Sequence, residues 1–273
     1  MQKVKNLGLT VLVSLLLFSC GEYQKVLNKG AVEDKYKMAV KLYESKKYDK
    51  ALRLFEMVTP AYRGKPQMER IQFMVAQSNF NVRNYTLSGY YFDSFVKSYP
   101  KSSKKEESAF LSAYSYKLAS PIFSLDQTDT YKALESFQTF INTYPNSTRI
   151  EDANIHYNQL RQKLEKKEFE IAKTYYRTAA TDFRNYEASI TAFENLISDY
   201  LGTIYKEEAL FYILKARYDL VTVSTKRRKL GRVSDVIKAY DKLIKFYPET
   251  KFKEDSDKML AYIKEQQDKL PKI

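Results

Sequence analysis

The sequence predicts an all-α fold: a superhelical stack of antiparallel helix pairs, about five in number. Three observations carry this. Only seven glycines and seven prolines interrupt 273 residues, and no alternating apolar runs joined by Asn-Gly or Asp-Gly turns are present. A pattern of small and aromatic residues recurs every 37 residues in the first half. Aromatic-Pro pairs at Tyr99-Pro100, Tyr144-Pro145 and Tyr247-Pro248 close blocks of the chain. Proline disfavours helical backbone in the residue before it, so a helix should stop at each pair.

The N-terminus reads as an export leader. Lys3 and Lys5 give a positive start, Leu7 to Phe18 is nearly all apolar, and Ser19 precedes Cys20. A bilayer-spanning helix needs about 20 apolar residues, so this run of roughly a dozen predicts a cleaved signal peptide over 1–19. Leu17-Phe18-Ser19-Cys20 resembles the bacterial lipoprotein box, which implies that Cys20 becomes the acylated N-terminus of the mature chain. Cys20 is the only cysteine, so no disulfide competes, and the single histidine, His156, shows no spacing to it that suggests a nucleophile and its base. Residues 20–32 then form a lipidated tether. The lipoprotein resemblance, with Gly21-Glu22 and no acidic run after the cysteine, implies sorting to the periplasmic face of the outer membrane.

Residues 33–147 hold three repeats. "KYDKALRLFE" (47–56), "NYTLSGYYFD" (84–93) and "DTYKALESFQ" (129–138) each place a small residue four before an aromatic: Ala51 and Phe55, Ser88 and Phe92, Ala133 and Phe137. The preceding helices agree, with Ala39, Ala76 and Ala113 in one register and Tyr36, Phe73 and Phe110 in another. "ASPIFSLDQTD" (119–129) lengthens the third repeat by about eight residues. Small residues let the first helix of a pair approach the second, and aromatics fill the space between pairs. One pair cannot bury its apolar face alone, so the pairs stack. The pattern resembles the tetratricopeptide repeat (TPR).

Residues 148–273 form the second block. No proline or glycine occurs from 148 to 180, which predicts either one long linking helix of about 50 Å or a break near Lys166-Lys167. "NYEASITAFENLISDYLGT" (185–203) reads as the second helix of repeat four, with Leu201-Gly202 where the other turns carry proline. Repeat five takes helices near 206–223 and 233–250, and a final helix over 251–268 caps the stack. A count of four repeats also stays open.

The inner surface of such a stack belongs mainly to the first helix of each pair. There the spacing places Tyr36, Tyr43, Phe73, Gln77, Phe80, Phe110, Tyr114 and Lys117, an aromatic strip with polar groups beside it. It suits an extended peptide or a strand end bearing an aromatic residue. Packing against neighbouring helices is the competing reading for Tyr36, Phe73 and Phe110.

No phosphate loop, His-Glu-x-x-His or Cys-x-x-Cys pair occurs, so no catalytic residue, metal site or cofactor is expected. Glu165 beside Lys166-Lys167 reads as a solvated face, and His156 as a surface or half-buried residue. The net charge is +13, spread along the chain, with its sharpest cluster at Lys226-Arg227-Arg228-Lys229, placed between two helices. The export leader argues against a nucleic-acid partner. An acidic protein or an anionic membrane surface fits the charge better, beside the plain reading of a solvated surface.

Two stretches, "GEYQKVLNKGAVEDKYKMAVKLYESKKYDKALRLFE" (21–56) and "ESFQTFINTYPNSTRIEDANIHYNQLRQKLEKKEFEIAKTYY" (135–176), carry a resemblance to the BamD family that extends over essentially the whole mature chain. These are lipoproteins of the outer membrane β-barrel assembly machinery. The resemblance implies a non-catalytic scaffold. Its partners would be the barrel-inserting core subunit, through its POTRA domains, unfolded outer membrane protein precursors, and the membrane through a lipid anchor. It places precursor contact near Tyr36, Tyr43, Phe73, Phe80 and Tyr114 and core-subunit contact within about 183–250. A different periplasmic TPR lipoprotein adaptor, serving cell-wall or secretion machinery, is the alternative. A glycan-binding lipoprotein is disfavoured because the chain has no tryptophan.

Overall fold

The computed structural model describes residues 21–268, and all regular structure among them is helical. The leader 1–19 and the expected lipidation site Cys20 lie outside the described residues. After a helical segment at 21–29, eleven helices follow: α1 (Val32–Glu44), α2 (Tyr48–Tyr62), α3 (Gln67–Asn81), α4 (Tyr85–Ser98), α5 (Lys105–Ala119), α6 (Thr128–Thr143), α7 (Ile150–Thr178), α8 (Arg184–Asp199), α9 (Lys206–Thr222), α10 (Lys226–Phe246) and α11 (Lys253–Asp268). They form five TPR-like antiparallel pairs, α1/α2 to α9/α10, followed by α11. The chain packs as two units. Of the described residues, the first comprises those up to 121 and Gln127–Leu160; the second comprises Ile122–Asp126 and those from Arg161 onward. The division falls inside α7, so residues 148–160 pack with the first unit. α7 itself passes Lys166-Lys167 without a break.

The repeated small residues act as the spacing predicts. In the first unit Ala39, Ala51, Ala76, Ser88, Ala113 and Ala133 are fully buried. Ser88 does so with its hydroxyl satisfied: Oγ donates to the Ala76 carbonyl across the α3/α4 pair at 3.1 Å. Ser189 repeats the device in the second unit, donating to the Ala172 carbonyl of α7 at 2.9 Å. Phe55, Phe92, Phe137 and Phe193, each four residues beyond such a small position, are fully buried. Each contributes about 1.5–3 kcal/mol of apolar burial. Tyr240, the expected aromatic of the fifth pair, instead bonds Asp257 of α11 through its hydroxyl at 2.5 Å.

Connections within and between pairs have separate chemistries. The tight turns α1–α2 and α3–α4 each use one left-handed residue, Lys46 (φ 59°) and Arg83 (φ 65°). The next amide, at Lys47 or Asn84, then reaches back to the carbonyl of Leu42 or Asn79, closing the helix end. Between pairs, the turns start at Tyr99, Tyr144, Tyr200 and Tyr247, whose amides close the preceding helix. Three residues on stands Ser102, Ser147, Thr203 or Thr250, and each hydroxyl accepts the amide two residues later. The Leu201-Gly202 turn therefore makes the same hydrogen bonds as the proline turns through a different backbone: Gly202 is at φ 79°, where a side chain would be strained, while Lys101, Asn146 and Glu249 at the equivalent position are not left-handed.

Residues 21–29, within the expected tether, are helical, and Tyr23 is 5% exposed in the core beside Met38 and Leu42. Two expectations are corrected. Glu165 is buried, because the turn after α8 covers it. Lys226-Arg227-Arg228-Lys229 is the first turn of α10, not a link between helices. The insertion at 122–126 belongs to the second unit: the Leu125 carbonyl accepts from Lys167 Nζ at 2.6 Å, and Lys166 sits 4.6 Å over the Phe123 ring.

Candidate peptide groove

The first helices of successive pairs in the first unit, α1, α3, α5 and the start of α7, are bridged by polar and aromatic side chains. Tyr43 at the end of α1 donates its hydroxyl to Gln77 Oε1 of α3 at 2.5 Å. Phe80 of α3 lies 6.2 Å from Tyr114 of α5, centroid to centroid. Lys117 of α5 donates to His156 Nδ1 of α7 at 2.8 Å, and the imidazole packs 5.2 Å from the Tyr114 ring. Every step between neighbouring first helices thus carries a contact made by a half-buried side chain.

Around Tyr43 the walls part into a cavity of about 370 Å³ lined by Tyr43, Pro66, Glu69, Arg70, Phe73, Met74, Phe95 and Lys104. Phe73 stands edge-on to Phe92 and Phe95, and Lys104 Nζ lies 5.4 Å from its ring. Arg70 pairs with Glu44 at 3.4 Å. The cavity therefore offers an aromatic wall, a phenol, the Glu69 carboxylate and two cations, Arg70 paired with Glu44 and Lys104 with Glu107 at 2.9 Å. Burial, reinforced by Tyr48 and Glu107 and opposed by Arg70, pushes the Tyr43 hydroxyl up to about 12, so it stays a neutral donor. Burial lowers Lys117. His156 is also lowered, first by burial and then by Lys117, which keeps the imidazole neutral and able to accept.

A match to the YfiO family, described as outer membrane lipoprotein, spans residues 29–230, which includes every residue of this groove. The chain belongs to the YfiO family of outer membrane lipoproteins. Its curated relatives are named outer membrane protein assembly factor BamD. The Rickettsia prowazekii protein is 24% identical over 79% of this chain and 84% of its own length, and that of Haemophilus influenzae 23% identical over 66% and 72%. A TPR protein of Thermus thermophilus covers 85% of the chain and 98% of its own length at 12% identity and a TM-score of 0.33, a likeness too loose to bear on function.

Within this YfiO-family chain the eight expected groove residues fall into two clusters of three, with Tyr36 and Phe110 set apart. Tyr43, Phe73 and Gln77 come together at the cavity, Tyr43 and Phe73 lining it and Gln77 held by Tyr43. Phe80, Tyr114 and Lys117 form a second cluster with His156. Tyr36 joins neither: its ring packs 5.0 Å from Tyr62 of α2. Phe110 is 6% exposed, stacked on Tyr114 and edge-on to Phe137 and Phe140, so it supports the groove from the core. Sequence spacing missed Lys104 and Glu69, which enter because the turn before α5 and the start of α3 fold over Phe73. It also treated His156 as a bystander, although a lone histidine at the start of the linking helix lies within reach of α5 once the pairs stack. Among the described residues no group of three or more His, Cys, Asp or Glu could hold a metal ion, and no helix is long and apolar enough to cross a membrane.

Proposed function

We propose that the chain is a lipid-anchored scaffold of the outer membrane β-barrel assembly machinery, acylated at Cys20 and held at the periplasmic face. It binds the barrel-inserting core subunit through residues within about 183–250 and receives unfolded outer membrane protein precursors in the first-unit groove. The assembly role is taken from the relatives named BamD. The observation that supports the precursor reading is the Tyr43 cavity: Phe73 offers an aromatic contact, while Arg70 and Lys104, paired with Glu44 and Glu107 at the exposed rim, can turn to a peptide carbonyl or carboxylate in exchange. Aromatic anchors in a desolvated pocket supply most of the energy of many interfaces. Binding is positional, not catalytic. Confinement at a membrane raises the effective concentration of scaffold and client toward one another.

A photo-crosslinker at position 73 tests the groove. It should capture unfolded barrel precursors, while the same probe at Leu87, exposed on α4, should not; equal capture at both sites overturns the groove. Detergent pull-down of the full chain should return a β-barrel protein with POTRA domains as its main partner. Recovery of cell-wall or secretion subunits instead selects the adaptor reading. Cys20→Ala should leave the precursor uncleaved and free of palmitate.

A further inference from the structure

The second unit carries a feature the groove does not use. The solvent face of α10 holds Lys226, Arg227, Arg228, Lys238, Lys242 and Lys245, all exposed. On a helical wheel Arg227, Lys238, Lys242 and Lys245 fall within about 60° of one another and span about 27 Å of the axis. Val233, Val236, Ala239 and Leu243 occupy the opposite, buried face. The other exposed residues of α10 are Gly231, Ser234, Asp241 and, at the end, Phe246, whose ring is covered by Lys206 Nζ at 3.8 Å.

None of the six cations makes an ion pair or a side-chain hydrogen bond among the described residues. Some lysines elsewhere pair locally, as in Lys97–Asp93 at 2.6 Å, Lys253–Asp257 at 2.9 Å and Lys258–Glu254 at 2.6 Å. Others, such as Lys35 and Lys101, make no ion pair among the described residues; what sets α10 apart is that its unpaired cations gather on one face. Three of the six also crowd the first turn of α10, where the helix dipole is positive and cations are unfavourable, and no acidic residue stands in that turn. Local stability does not account for this arrangement.

We infer that this face of α10 docks on an anionic phospholipid surface. Charge complementarity selects the occupant. A specific protein interface needs apolar or aromatic anchors at its centre and is depleted in lysine, and the middle of this face has lysine and no anchor. A fluid layer of anionic headgroups needs only the charges, each Lys or Arg near such a surface strengthening binding about fivefold. The inference is independent of the peptide groove, and since this face of α10 is given to lipid, it leaves the core subunit the other surfaces of the stretch 183–250.

The test uses the full chain carrying Cys20→Ala, so that no acyl chain contributes, with and without Lys238→Gln, Lys242→Gln and Lys245→Gln. Both proteins share the same leader. The unsubstituted chain should bind vesicles containing phosphatidylglycerol more tightly than vesicles of phosphatidylcholine alone. The difference should vanish as salt shortens the screening length. The triple substitution should weaken binding to the anionic vesicles about a hundredfold while the helical circular dichroism stays unchanged. Equal binding to the two vesicles, an unaffected triple variant, or binding to a duplex oligonucleotide as tight at the same ionic strength overturns the inference. Should the variant misfold, amine acetylation of the unsubstituted chain decides. Phosphatidylglycerol vesicles should protect Lys238, Lys242 and Lys245 where phosphatidylcholine vesicles do not, and equal labelling refutes the contact.

Discussion

Thr203 Oγ1 donates a hydrogen bond to Glu165 Oε2 across 2.9 Å, and the two residues are 6% and 4% exposed. Arg161 Nε lies 3.2 Å from the other carboxylate oxygen. The same lock recurs where Ser147 donates to Glu106 and Thr250 to Glu207, each at 2.6 Å. In each case the hydroxyl of a turn between pairs is tied to an acid on the first helix of the pair just completed. A buried carboxylate that loses a donor keeps its desolvation penalty. Thr203→Val should therefore lower unfolding stability by about 1.5–3 kcal/mol. Ser147→Ala, whose partner Glu106 is exposed, should cost under about 1 kcal/mol. Urea unfolding of both variants checks the difference, and equal costs would mean that burial at Glu165 is not what matters.

Gly89 sits mid-helix in α4, where alanine would ordinarily gain about 1 kcal/mol of helix propensity. An added methyl would lie 2.8 Å from the ring of Tyr116 on α5. Ser112 also donates to the Gly89 carbonyl at 2.9 Å, so the two backbones have little room to separate. Gly89→Ala should destabilise by about 1–3 kcal/mol, and adding Tyr116→Leu should recover part of the loss. A rise in melting temperature for the single variant would contradict the close approach.

His156 is the only histidine, so its imidazole proton signal needs no assignment. Burial and Lys117 hold its folded-state pKa below the ordinary value of 6.5. The unfolded state binds the proton more readily, so stability falls as pH drops from about 6.5 toward the folded-state value and is fully present above that window. A proton NMR titration should give a midpoint below 6.5, and His156→Gln should flatten this part of the stability profile. A midpoint at or above 6.5 would rule out the neutral acceptor facing Lys117.

Tyr176 of α7 donates to Asp219 Oδ2 of α9 at 2.6 Å, the second-unit counterpart of the Tyr43–Gln77 bridge. Burial raises the pKa of both groups, for Asp219 against the opposing pull of Tyr176 and Lys215. Removing the phenol leaves a half-buried carboxyl without that donor. Tyr176→Phe should cost about 1.5–3 kcal/mol in chemical denaturation, whereas Tyr175→Phe, on the exposed side of α7, should be close to neutral. Matching losses at the two positions would show that the phenol–carboxylate bond contributes nothing of its own.

The amino-acid sequence alone determined the helical class, the small-and-aromatic register of the pairs and the positions of the proline turns. Those signals are local, set by backbone preference and by a repeat in which Ala51, Ser88 and Ala133 must face a neighbouring helix. It also placed Tyr43, Phe73, Gln77, Tyr114 and Lys117 on one side of the first helices, because helical periodicity alone assigns that side. Only the tertiary structure decided which of these stay accessible. Phe110 shares the register of Phe73, yet α6 closes over it, while the wall beside Phe73 stays open as a cavity. The tertiary structure likewise buried Glu165, whose sequence neighbours are lysines, because Thr203 lies 38 residues away and reaches it only when α7 and the turn after α8 meet. Burial and pairing depend on which surfaces come together across long separations, and no local pattern encodes that.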